Sequence, residues 1–200
     1  MFERTSHDER ASELLKLATE KKKEKDWDGA IATLKEAYQE IAQSQLGYSI
    51  ETFIRLPQFL QSAGRSKEAW TEFNKLLFGR LQTQLGNDNT DPMERSILFD
   101  KMRLYLQREK REQLADIFSI FAAVSWRVGL QRQDRVEELA ELSSEEDIAE
   151  MISTLSAYSS PGTIKQLCDA VTNELRGFPT IDYNKMGLAM ETVLASAKKS

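Results

Sequence analysis

The chain has 200 residues, of which 40% are hydrophobic and 30% are charged, and its formal net charge is −5. This length allows one domain with a core of its own, or one domain and a small appendage, and the composition is that of a folded chain. The negative charge argues against nucleic acid as a partner of the whole molecule, because affinity for phosphates needs a basic surface.

The sequence shows no pattern typical of a targeting signal. Cys168 is the only cysteine, so no intramolecular disulfide can form and nothing indicates an oxidising compartment. The first residues lack the apolar core of a signal peptide. The most apolar stretch, 114–130, is interrupted by polar residues and is shorter than the ~20 residues that a membrane crossing needs. We therefore expect a cytoplasmic protein that has no membrane partner.

The first two predicted helices are marked by their ends. Ser6 and Glu9 have the spacing of a capping box, which predicts the start of the first helix. That helix ends in the lysine-rich run 21–25, where cations stabilise the C-terminal dipole. Asp26 is the predicted N-cap of the second helix, and Gly47 is its predicted left-handed stop.

The third and fourth helices follow in the same way. The third begins near Ser49, contains Pro57 and ends at Gly64; because proline cannot donate a backbone hydrogen bond, we expect a kink there. The fourth begins at Ser66 and continues towards Gly86. Together the four segments read as two helical hairpins.

A polar run, Asn87 to Thr90, is the clearest predicted loop. Asp91 and Pro92 then have the pattern of an N-cap followed by proline at the first helical position, which starts a fifth helix. A sixth helix begins near Glu112 and is apolar almost all round, so we expect it to be buried on most sides and to break at Gly129.

Shorter helices are predicted after residue 142. Ser143 and Ser144 are candidate caps, 160–163 begins a further helix, 177–179 is a turn, and Asn184 to Lys199 forms the last helix. No stretch shows sustained strand-like alternation. The predicted fold class is all-α, built of antiparallel helical hairpins.

Two of these hairpins contain similar segments. Residues 25–31 align with residues 64–70, and each segment places a small residue, Ala30 or Ala69, near the start of a second helix. A small side chain there lets two helices approach closely. A weaker third copy has Leu114 at this position. The first helices contribute apolar pairs, which are Leu14 and Leu17 in one copy and Phe53 and Leu56 in the other.

The repeated segments resemble the tetratricopeptide repeat (TPR), in which pairs of helices of about 34 residues stack into a superhelix. The resemblance covers roughly residues 6–126, and its copies are spaced further apart than is usual for the family. The alternative is a helical bundle without repeats. It implies a TPR-like α-solenoid domain over residues 1–142, followed by a small helical region at 143–200. It also implies a scaffold or adaptor that binds proteins or peptides through a concave helical surface.

In such arrays the first helix of each pair lines the groove, and carrying this over gives nine candidate partner-binding residues. They are Lys16, Thr19, Lys22, Lys23, Arg55, Gln58, Gln61, Arg103 and Gln107. Because most are cationic or carry amides, we expect an extended acidic peptide as the partner. The carboxylate-clamp pattern of the family is absent, since Leu15 and Thr19 stand at two of its positions.

The sequence offers few candidate residues for catalysis or metal binding. His7 is the only histidine and begins a helix, and Cys168 lies on an apolar helical face, where packing is the simpler reading. Phosphate-cradling glycine motifs do not occur. Trp27 and Trp70 are expected to pack in the core. We therefore expect neither an enzyme, nor a cofactor, nor a metal site.

Two other functions stay open at this point. One is a regulatory or sensor subunit that binds a peptide or a small ligand. The other is a homodimeric structural protein that uses its apolar sixth helix as the interface, so a homo-oligomer is a possible partner arrangement.

Overall fold

Every regular element that the structure describes is helical, which confirms the predicted all-α class. The structure is a computed structural model, and it describes residues 5–44, 46–80, 91–142 and 144–197. Four sequence-based expectations lie outside these residues, namely the stop at Gly86, the loop Asn87 to Thr90, the cap at Ser143 and the last residues of the final helix.

The chain divides into two compact units, Met1–Asn89 and Thr90–Ser200. The first unit contains α1 (Ser6–Lys23), α2 (Trp27–Ile41), α3 (Ile50–Ser62) and α4 (Ser66–Lys75), and α4 continues into a π-helical turn (Leu76–Arg80). The second contains α5 (Pro92–Arg108), α6 (Glu112–Arg132), α7 (Val136–Ala140), α8 (Glu145–Ser156), α9 (Thr163–Leu175) and α10 (Tyr183–Ala197). The domain boundary expected at residue 142 thus falls inside the second unit.

Most predicted caps are present. Asp26, Asp91 and Ser144 each accept a hydrogen bond from a backbone amide of the helix that follows. The capping box of α1 lies one residue earlier than predicted: Thr5 is the N-cap and Asp8 is its partner, in place of Ser6 and Glu9.

The glycines agree less well with the sequence-based predictions than the caps do. Gly64 has a φ of 76° and ends its helix as predicted. Gly129, which was expected to break the sixth helix, lies inside α6, where an added Cβ would come within 2.8 Å of Met93 on α5. This glycine therefore allows close packing of two helices. Gly47 does not end α2, which stops at Ile41.

Three hairpins, α1–α2, α3–α4 and α5–α6, are closed by the same turn of three residues. The middle residue of each turn has a positive φ, 62° at Lys25, 76° at Gly64 and 57° at Lys110. The next amide bonds back to the carbonyl five residues earlier, as in Asp26 N to Lys21 O, Arg65 N to Leu60 O and Arg111 N to Leu106 O. This is the Schellman arrangement, and the next helix begins directly after it.

The common turn fixes which residues of the hairpins are equivalent. Ala30, Ala69 and Ala115 are each the fourth residue of the second helix, and all three are at most 1% exposed. Leu114, which the sequence alignment put at this position, is only partly buried. The third hairpin thus has a small residue at the helix crossing, one position later than predicted. Leu17, expected in the core, is 41% exposed.

The second unit has an aromatic core to which its last helices are joined. The rings of Phe99, Phe118 and Phe121 lie 5.4–5.8 Å apart between α5 and α6. An added Cβ at Gly187 of α10 would lie 2.6 Å from Val128 of α6, so these two helices cross closely. The C-terminal helices therefore belong to the same unit as the third hairpin.

Helix α6 has 21 residues and is longer than the apolar stretch identified in the sequence. Among the described residues it is the one helix whose length and composition would suit a membrane span, which is weak evidence because core helices meet the same criteria. Its buried side chains contact neighbouring helices of the second unit. Trp126, on the same helix, is 41% exposed.

Candidate functional site

The nine predicted groove residues are divided between the two units. Lys16, Thr19, Lys22 and Lys23 lie on α1, Arg55, Gln58 and Gln61 lie on α3, and Arg103 and Gln107 lie on α5 of the second unit. Within the first unit, the structure brings Thr19, Lys22 and Arg55 together where α1 meets α3.

Arg55 connects the two helices directly. Its Nη2 atom donates to the backbone carbonyl of Leu15 at 2.8 Å and to the hydroxyl of Thr19 at 2.6 Å. Thr19 itself donates to the same carbonyl at 2.9 Å. Partial burial lowers the pKa of Arg55 because its charged form is desolvated, yet an arginine stays protonated at neutral pH. The guanidinium is thus held in one orientation by two neutral oxygens.

Lys22 joins this cluster through an aromatic ring. Its Nζ lies 4.9 Å from the centre of the Phe59 ring, and the guanidinium carbon of Arg55 lies 5.8 Å from the same centre. Trp27 meets that ring edge-on at 6.5 Å. The ring is attracted to both cations and keeps them near each other. We call Thr19, Lys22, Arg55 and Phe59 the α1–α3 cationic cluster.

Lys16 and Lys23, the other predicted groove cations of α1, are exposed. Lys16 and Lys23 form no ion pair with any residue that the structure describes, and neither does Lys22. Glu51, one turn before Arg55 on α3, is exposed and does not pair with it. The cations of this face are therefore not paired with anions of the described residues, although Glu20 and Glu51 are exposed on the same two helices.

On α5 the predicted groove residues are engaged differently. Arg103 donates to Asp100 at 2.6 Å and to Gln107 at 3.0 Å. Partial burial acts to raise the pKa of Asp100, but the hydrogen bonds from Arg103 and Lys101 outweigh it and the pKa is lowered. The charge of Arg103 is thus balanced within its own helix, so Arg103 attracts an acidic partner less strongly.

His7 and Cys168, the residues considered for catalysis, lie in different settings. His7 Nδ1 lies 2.6 Å from a carboxylate oxygen of Glu40, which joins α1 to α2. Cys168 is fully buried, and desolvation raises the pKa of its thiol to about 12, which disfavours the reactive thiolate. Among the described residues, no three potential ligands are grouped so that they could hold a metal ion.

Two features of the second unit were not found from the sequence. Arg95 is buried on α5 and donates to Glu191 of α10 at 2.9 Å, and Glu191 also accepts from Arg132 of α6 at 3.0 Å. An acidic groove of about 370 Å³ lies between α6 and α8 and includes Asp116 and Glu150. Both join residues distant in sequence, so no local pattern marks them.

Comparison with known proteins adds no relative, since no family model, no curated protein and no solved structure matches the chain.

Proposed function

We propose that this protein is a scaffold or adaptor that binds another protein or a peptide through the face that α1 and α3 share. The observation that supports this most strongly is the reach of Arg55 from α3 to the backbone of α1. Because α1 and α3 are the first helices of two successive hairpins, this contact makes their outer sides one polar surface. A TPR-like stack of hairpins would present such a surface to its partner.

The charge of the face also supports binding. Lys16, Lys22 and Lys23 are exposed and have no carboxylate partner among the described residues. Arg55 adds a guanidinium whose orientation is fixed by its hydrogen bonds. Exposed cations without paired anions attract an oppositely charged partner and disfavour a like-charged one. By contrast, the homodimer alternative has less support, because the apolar side of α6 is covered within the second unit.

A selection from a random peptide library on the full-length chain tests the proposal. We expect the selected peptides to shift amide resonances of α1 and α3 when they are titrated into the labelled protein. The double variant Lys16→Glu/Lys23→Glu should bind them roughly tenfold more weakly, because two exposed cations of the face become anions.

The matched control changes the same charge on the second helices. Lys35→Glu/Lys67→Glu alters two exposed lysines of α2 and α4 and should leave the affinity unchanged. Circular dichroism of both double variants verifies that they stay folded. If selected peptides bind the two double variants equally, or if their shifts fall outside α1 and α3, the proposed face is wrong.

A further inference from the structure

We propose that the partner segment on this face is an internal run of acidic side chains, and that one of its carboxylates is anchored by Arg55 and Lys22. This inference rests on the proposed function and gives the chemistry of the partner. It is an inference from the α1–α3 cationic cluster and from the spacing of the lysines around it.

The anchor is a half-buried cation without an anion. Nη2 of Arg55 uses its two hydrogens on Leu15 and Thr19, so the plane of the guanidinium is fixed, while Nε and Nη1 have no hydrogen-bond partner among the described residues. Arg65, Arg103 and Arg135 each pair instead with a carboxylate three residues away. A carboxylate that binds Nη1 gains charge-assisted hydrogen bonds without first having to order the side chain.

Lys22 supplies the second charge of the anchor. It lies against the same ring as Arg55, so an anion bound beside that ring meets two cations in a partly desolvated setting. Electrostatic attraction is stronger there than in bulk water. The ring also gives the aliphatic part of a glutamate side chain an apolar surface to contact.

The flanking lysines indicate more than one carboxylate. Lys16 and Lys23 are seven residues apart on α1, which places them roughly 10 Å apart along the helix axis. A peptide in the polyproline II conformation rises about 3.1 Å per residue and has three residues per turn, so side chains three residues apart lie on one side of it and match this spacing. A single C-terminal carboxylate would neutralise one end of the face only. An internal acidic run fits the whole of it.

A defined peptide tests the inference on the full-length, ¹⁵N-labelled chain. The probe is an acetylated and amidated nonapeptide with glutamate at its second, fifth and eighth positions and glycine elsewhere. We expect the Nε–H resonance of Arg55 to shift on titration and that of Arg65 to stay in place. The Arg55→Lys variant identifies the Arg55 resonance because it lacks that signal.

Two further peptides separate the sources of the carboxylate. The same sequence with glutamine in place of glutamate should leave the Arg55 resonance unmoved. A version with glutamine and a free C-terminus should shift it much less than the glutamate peptide does. An equal or larger shift with the free C-terminus would replace the internal run by a terminal carboxylate and overturn the inference.

Variants give a second measurement that does not depend on the resonance. Lys22→Gln changes an exposed side chain and should weaken binding of the glutamate peptide roughly fivefold to tenfold, whereas Arg65→Gln should not change it. No loss with Lys22→Gln, or equal binding of the glutamine peptide, would refute the anchor. Library peptides that bind the α1–α3 face without acidic residues would refute it too, but would leave the proposed function standing.

Discussion

At the scale of single residues, the buried carboxylate of Asp8 joins the start of α1 to the segment after α2. It accepts hydrogen bonds from the hydroxyl of Ser44 and from the amide and hydroxyl of Thr5, the last two at 2.7 and 2.8 Å. These bonds, that from Ser44 foremost, lower the pKa of Asp8 below its usual value of 3.8. The bonds favour the ionised form, so their stabilising effect is present above the pKa of the unfolded chain and is lost as the pH falls through the lowered value.

Ser44→Ala should therefore reduce the free energy of unfolding near neutral pH, and its difference from the parent should shrink as the pH falls through the lowered pKa of Asp8 and the carboxylate becomes protonated. Urea denaturation at a series of pH values measures this. Ser62→Ala removes a hydroxyl that bonds to a backbone carbonyl on α3, so any effect it has should not change with pH. A Ser44→Ala difference that is constant over this range would show that Asp8 is not the group concerned.

The residues of the candidate site were predictable only in part. Lysines on a helix surface can be read from helical periodicity, so the exposure of Lys16 and Lys23 follows from the sequence. The orientation of Arg55 cannot, because it depends on a carbonyl and a hydroxyl forty and thirty-six residues away. By contrast, Arg103 and Asp100 are three residues apart on one helix, a spacing at which oppositely charged side chains can pair.

At the scale of elements, the small residue at each helix crossing decides how closely a hairpin packs. Ala30, Ala69 and Ala115 are at most 1% exposed, so a larger side chain at any of them would have to displace its neighbours. Each change to leucine should lower the free energy of unfolding by roughly 1–3 kcal/mol through overpacking. Chemical denaturation of the three variants measures the effect.

Two controls accompany these variants. Ala149→Leu places the same side chain on an exposed position of α8 and should cost much less. Leu114→Ala should cost less than the 2–5 kcal/mol typical of a fully buried leucine, because Leu114 is only partly buried. If Leu114→Ala proves the costly change and Ala115→Leu the mild one, the register inferred from the turn is incorrect.

Helix ends show why the third hairpin was misaligned by one residue. Gly64 marks its turn in the sequence because glycine adopts a positive φ without strain. Lys25 and Lys110 adopt the same conformation with side chains that rarely do so, and no sequence rule singles them out. Caps that depend on a short polar side chain, such as Asp26 and Asp91, were recognised correctly.

At the scale of the whole molecule, the division into two units differs from the one expected. The sequence marked 87–90 as a loop, but the repeat pattern extended across it and drew the boundary at 142 instead. The close contact of Gly187 with Val128 assigns α10 to the unit that holds the third hairpin. Helix-to-helix contacts between segments sixty residues apart leave no periodic signal, so the boundary could not be read from the chain.

Cys168 provides a probe of the second unit alone. It is fully buried on α9, and its raised pKa makes the native thiol slow to react, so labelling by a thiol reagent requires that unit to open. We expect Ala115→Leu to speed labelling in native buffer and Ala30→Leu, in the first unit, to leave the rate near that of the parent. Equal acceleration by both variants would show that the two units open as one.

The three-residue turn also has a kinetic consequence. Each hairpin joins two helices that are neighbours in sequence, so its crossing forms without closing a long loop, and the entropic cost of bringing the helices together is small. Domains dominated by such local contacts fold within microseconds to milliseconds. On a ribosome that adds roughly 5–20 residues per second, the hairpin α1–α2 would then form within the time needed to add one residue, once both helices have emerged.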